Sequence, residues 1–212
     1  MMGILDIFTG RGQEEEQDAS CAQLTLNEPG GDHFFTAMEL TRRGLLNEAL
    51  AEFRRAASEN PDNSDIRYNL GVIYHNLGRF AEAVREYKRA ISINGDFADA
   101  YNNLGLAHAS LGENIESISA FIQATRVKPD FVEALNNLAT VYYNWGSYQE
   151  AIKASQKALQ IDPDYVPAFH TLALVYIDLK NKKAAIQEYE KIKRLDPVAA
   201  EDTLNMIHRA FS

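Results

Sequence analysis

The stretch FADAYNNLGLAHASLGENIESISAFIQATRVKPD, residues 97–130, decides the fold, because the rest of the ordered chain reads as copies of it. A shift of 34 residues brings Asn69, Asn103 and Asn137 into register. The same shift aligns Leu70, Leu104 and Leu138, then Gly78, Gly112 and Gly146, then Pro129, Pro163 and Pro197. Self-similarity at a period of ~20–50 residues marks an array of supersecondary units that bury their apolar faces against one another. Such an array has no obvious active site but a long surface.

Within the stretch the apolar spacing is helical. Tyr101, Leu104, Gly105 and His108 fall at i, i+3, i+4 and i+7, on one face of a first helix. Ser117, Ile118, Phe121, Ala124 and Thr125 form the stripe of a second. Glycine or proline closes most helices, as expected of helix stops. The pattern predicts helices over 33–43, 46–59, 63–76, 80–93, 97–111, 115–127, 131–145, 148–161, 165–179, 182–195 and 199–211, with Asp32 as the first N-cap. Small residues recur where two helix backbones must approach. Gly71, Gly105, Ala139 and Ala173 share one position; Ala49, Ala83, Ser117, Ala151 and Ala185 share another.

Bulk composition narrows the function. The 212 residues are 46% hydrophobic and 24% charged, with a net charge of −9. Residues 1–31 carry −5 of this (Asp6, Glu14, Glu15, Glu16, Asp18 and Glu28 against Arg11), so the body is only mildly acidic. A nucleic-acid or anionic-membrane partner has no electrostatic footprint. Cys21 is the single cysteine, which excludes an intrachain disulfide and suggests a cytoplasmic setting. No run approaches the ~18 apolar residues of a membrane span, so membrane insertion is not expected. MMGILDIF lacks a basic leader and is interrupted by Asp6, a poor match to a secretory signal. Residues 9–31, rich in Gly, Glu, Gln and Ser, read as a disordered tail.

The signature resembles the tetratricopeptide repeat. The second unit carries it in Leu70, Gly71, Tyr74, Gly78, Ala83, Tyr87 and Ala90; the fourth in Leu138, Ala139, Tyr142, Gly146, Ala151, Ala158 and Pro163. The expected organisation is an acidic tail over 1–31, repeats over 32–63, 64–97, 98–131, 132–165 and 166–198, and a capping helix over 199–212. In the cap, Leu204, Ile207, His208 and Phe211 are expected to form the apolar stripe. Departures are scattered. Thr36-Ala37 replaces Leu-Gly in the first repeat, His108 takes a Tyr position, and Lys180 stands at the fifth turn glycine.

The resemblance implies an all-α solenoid, a right-handed superhelix whose first helices line a concave groove. Repeat one then contributes Phe34, Phe35 and Met38 to that groove, and repeat two Tyr68, Asn69, Val72 and His75. Repeat three contributes Asn102, Asn103 and Leu106. Repeat four contributes Asn136, Asn137, Thr140, Tyr143 and Asn144, and repeat five His170 and Leu174. A carboxamide is both donor and acceptor, which suits a peptide backbone. Asn69, Asn103 and Asn137 are therefore either a ladder that holds an extended peptide or residues that fix helix packing. A basic clamp on a carboxylate is not expected, since Arg42 is the lone base there.

The family implies a non-catalytic scaffold or adaptor for a protein or peptide, with no cofactor. The alternative is a self-assembling structural protein. The segment Ile4-Leu5-Asp6-Ile7-Phe8 then docks into a groove of its own chain or a neighbour's, making homo-oligomers. The five histidines are dispersed and no HExxH or phosphate loop occurs, so neither metal ligands nor catalytic residues are assigned.

Overall fold

The computed structural model describes residues 30–212; the expectations for the N-terminal tail and its apolar segment lie outside the described residues. Among the described residues there are eleven α-helices and no strand. Two compact units divide at Leu111 and Gly112.

The first unit holds α1 (Gly31–Arg42), α2 (Leu46–Glu59), α3 (Ser64–Asn76), α4 (Phe80–Ile93) and α5 (Ala98–Ser110). Consecutive helices pack on one another, and α3 also touches α5. Phe34 and Phe53 meet edge to face across α1 and α2, centroids 5.8 Å apart, and both are almost fully buried. Ala49 and Ala83 are wholly buried. At the other tight position, a Cβ on Gly71 would lie 2.6 Å from Tyr87 Cε1, so α3 and α4 approach closely only because this side chain is missing.

The second unit holds α6 (Asn114–Val127), α7 (Val132–Asn144), α8 (Tyr148–Ile161), α9 (Val166–Asp178), α10 (Lys182–Leu195) and α11 (Pro197–Phe211). Ser117, Ala151 and Ala185, at the small position of the second helices, are wholly buried. Around Phe169, Tyr189 and Ile192 the last helices build one apolar cluster with Ala200 and Ile207.

The first helices end alike. At Gly44 (φ 74°), Gly78 (φ 72°) and Gly146 (φ 78°) the chain enters the left-handed region. There Gly44 N–H donates to Thr41 C=O and Leu45 N–H to Leu40 C=O, each at 2.9 Å, closing a Schellman turn. Lys180 makes the same turn at φ 56°, with Lys180 N–H donating to Ile177 C=O at 3.0 Å and Asn181 N–H to Tyr176 C=O at 2.9 Å, in a conformation that is cheaper for glycine.

Three local expectations change. Asp32 does not cap α1; the helix starts at Gly31, and Asp32 sits in the first turn, where its acid favours the helix dipole. Helix α11 begins two residues earlier than expected, because Asp196 Oδ1 accepts from Val198 and Ala199 N–H at 3.0 Å and Pro197 supplies the first helical φ. Its inward stripe is Ala200, Thr203 and Ile207 with Leu204 and Phe211 beside it, whereas His208 is exposed.

Candidate functional site

The faces of the first helices that turn away from their second-helix partners carry the amides and aromatics. In the first unit, Ile66, Leu70, Gly71, Ile73 and Tyr74 of α3 are buried, leaving Tyr68, Asn69, Val72 and His75 half-buried on the other side. On α5, Asn103 and Leu106 are half-buried in the same way. On α1, Phe35 is exposed and Met38 half-buried.

Asn103 Nδ2 donates to the Tyr68 hydroxyl at 2.9 Å, joining α5 to α3. Tyr68 is also packed on Phe97, with ring centroids 4.8 Å apart. Asn102 Nδ2 lies 3.4 Å from Asn103 Oδ1. Asn69 Nδ2 donates back to Asp65 C=O at 2.8 Å, within its own helix. His75 sits edge-on to Phe80, its Nε2 buried with no hydrogen-bond partner among the described residues; burial lowers its pKa from the ordinary value.

The second unit repeats the device with different residues. Thr171 Oγ1 lies 3.3 Å from Asn136 Oδ1, joining α9 to α7 at the same 35-residue separation as Tyr68 and Asn103. Thr140, Tyr143, His170 and Leu174 are half-buried and Asn144 is exposed. Burial, then the Asp178 carboxylate, pushes the Tyr143 phenol up to about 12. Tyr148 donates to Asp178 Oδ2 at 3.2 Å and lies close to Tyr143, centroids 6.2 Å apart. His170 is held neutral first by burial, against a smaller opposing pull from Asp202.

Four expected groove residues are thus not open to a ligand. Phe34 is a core side chain at 0% exposure, since the first helix pair needs an aromatic to meet Phe53. Asn102, Asn136 and Asn137 are 8%, 6% and 9% exposed. Their neighbours on adjoining helices close over them, which a single helical period does not reveal. The inter-repeat hydrogen bonds were missed in the sequence. Their only trace is that polar residues fill two adjacent positions of successive repeats, Tyr68-Asn69, Asn102-Asn103, Asn136-Asn137 and His170-Thr171.

Sequence models of the tetratricopeptide repeat match residues 39–78, 73–112, 98–131, 132–165 and 166–198. The chain belongs to the tetratricopeptide repeat family. No curated protein matches it in sequence. Among solved structures this tetratricopeptide array is similar to PilW, a widely conserved type IV pilus biogenesis factor, at 24% identity and a TM-score of 0.75, covering 85% of each chain. It is similar to the MamA protein at 22% identity and a TM-score of 0.73, covering 81% of this chain and 94% of MamA. YrrB, a tetratricopeptide protein with an unusual peptide-binding site, aligns at 19% identity and a TM-score of 0.68, covering 84% and 89%. At these identities the likeness concerns the fold.

Among the described residues no group of three or more His, Cys, Asp or Glu is placed to hold a metal ion. Among them, too, no helix is long and apolar enough to cross a membrane.

Proposed function

We propose that this array is a non-catalytic scaffold that holds a segment of a partner protein on the outward faces of its first helices. The observation that carries the reading is the composition of those faces. Val72, Leu106, Thr140, Tyr143 and Leu174 stay half-buried there beside amides and two histidines, although the stack is already closed by the residues behind them. Apolar and aromatic anchors among polar groups are what an interface centre requires. The buried amides act through the stack rather than on the ligand. The amides left for a backbone are those of Asn69, Asn103 and Asn144. Asn69 keeps part of its donor and acceptor capacity after its internal bond, and Asn103, bonded to both Tyr68 and Asn102, keeps an acceptor lone pair.

A displayed peptide library panned on the full chain tests this. Val72→Asp and Tyr143→Asp, each confirmed to keep native helicity, are expected to abolish capture of the selected peptides. Lys88→Ala on an exposed second-helix position serves as the control. Undiminished capture by both aspartate variants would reject the first-helix faces. Concentration-dependent light scattering separates this reading from self-assembly, which would raise the mass of the peptide-free chain.

A further inference from the structure

A cleft of about 330 Å³ lies between α2, α3 and α4 of the first unit. Arg54, Arg67 and Arg89 line it together with Glu86, Tyr74 and Leu70. None of these belongs to the first-helix faces discussed above. Glu86, 7% exposed, accepts from Arg67 Nη1 at 3.2 Å and Arg89 Nη1 at 2.7 Å. Arg67 also donates from Nε to Pro61 C=O at 3.0 Å. Arg54 has no carboxylate partner among the described residues. Its Nε and Nη2 both donate to the Tyr74 hydroxyl, at 3.1 and 2.9 Å. The Tyr74 oxygen therefore accepts twice, while its own proton meets no acceptor among the described residues. Three guanidinium groups against one carboxylate leave the cleft with two net positive charges, in a chain of net charge −9.

The other repeats serve as an internal control. One, two and three periods on from Arg67 stand Tyr101, Leu135 and Phe169. From Glu86 the same steps reach Ala120, Ala154 and Glu188. Stacking is therefore satisfied by an aromatic or aliphatic residue where Arg67 stands. A buried ion pair is rarely more stabilising than apolar residues of similar volume. One period back, His33, Glu52 and Arg55 stand where Arg67, Glu86 and Arg89 do, and Glu52 likewise pairs with both of its neighbours. The carboxylate and its two partners therefore recur; what sets this cleft apart is the full positive charge of Arg67 in place of a histidine and the addition of Arg54.

We propose that this cleft binds a phosphate monoester borne on a serine or threonine side chain of a partner protein. Two net positive charges match the near-dianion of a phosphorylated hydroxyl at neutral pH, where a single carboxylate would leave one uncompensated. Arginine forks pair with phosphate oxygens bidentately, and Arg54 and Arg89 retain unassigned N–H groups at the exposed rim. The Tyr74 proton is a further donor. Leu70 supplies an apolar wall for the carbon atoms that carry the phosphate. The cleft volume lies at the low end of small-ligand sites, ~300–1,000 Å³, enough for one modified side chain.

Calorimetric titration of the full chain tests the assignment with three probes: an end-blocked Ala-Ala-phosphoserine-Ala-Ala peptide, its unphosphorylated form, and inorganic phosphate. The phosphopeptide is expected to bind saturably and to weaken as salt is added. Inorganic phosphate binds more weakly, and the unphosphorylated peptide gives no heat of binding. Arg54→Ala and Arg89→Ala, both at exposed positions, each lower phosphopeptide affinity about tenfold, and Lys88→Ala does not. The pair Arg67→Leu with Glu86→Ala installs the residue types of Leu135 and Ala154. It is expected to melt no lower than the unmodified chain and yet to lose binding. Phosphate binding as tightly as the phosphopeptide would overturn the protein-borne source in favour of the free anion. No saturable binding of either, or binding that survives the combined Arg54→Ala and Arg89→Ala changes, would overturn the site.

Discussion

Asn103 donates through Nδ2 to the hydroxyl of Tyr68, 2.9 Å away and one repeat plus one residue back along the chain. The bond ties α5 to α3 on the faces where a ligand would lie. An amide expected to read a peptide is thus in part a fastener of its own array.

That pairing makes a double-mutant cycle informative. Tyr68→Phe and Asn103→Ala are each expected to lower stability by about 0.5–1.5 kcal/mol, and the double change by less than their sum. Urea unfolding followed by circular dichroism measures the coupling. Strict additivity would mean that the bond contributes nothing.

Gly71 is under steric constraint from Tyr87. With a Cβ 2.6 Å from the Tyr87 ring, Gly71→Ala is expected to destabilise by about 1–3 kcal/mol as α3 and α4 are pushed apart. The lower midpoint should return in part in the Gly71→Ala, Tyr87→Leu double variant, read by the same denaturation experiment.

Lys180 occupies the left-handed turn position at φ 56°, where three of the preceding turns use glycine at φ 72–78° and a fourth, Gly112, at φ 76°. Lys180→Gly is expected to raise stability by about 0.5–1 kcal/mol: relief of the Cβ clash exceeds the added freedom of the unfolded glycine. Thermal unfolding of the two proteins at matched concentration checks the sign.

His75 and His170 are both held neutral by burial, below the ordinary 6.5. In the unfolded chain they take up protons as pH falls through 6.5, while the folded chain resists. The unfolded state then binds more protons and stability drops on acidification. The contribution is complete above 6.5 and is lost progressively as pH falls toward the depressed folded values. Unfolding midpoints between pH 8 and 5 should decline. Replacing both residues with glutamine should flatten the decline; an unchanged slope would assign it to other groups.

The sequence by itself determined the helices, their pairing and the repeat register, because each depends on spacing along one chain. Leu70, Leu104 and Leu138 had to be buried, and Ala49, Ala83, Ser117, Ala151 and Ala185 had to be small, wherever the period of 34 was read. A helical period also separated the inward face of each first helix from the outward one. It did not rank residues within the outward face. Phe34 and Asn136 fell inside, and Tyr68 and Asn103 found each other, because adjoining helices decide depth and partners. The cleft around Glu86 was equally illegible. Arg54, Arg67 and Arg89 are scattered over three helices and ordinary one by one; only packing brings two of these guanidiniums onto one buried carboxylate and the third onto the Tyr74 hydroxyl in the same cleft. Local pattern fixes which side a residue faces. What it meets there is a property of residues about 20 or 35 positions away, and only the tertiary structure brings those together.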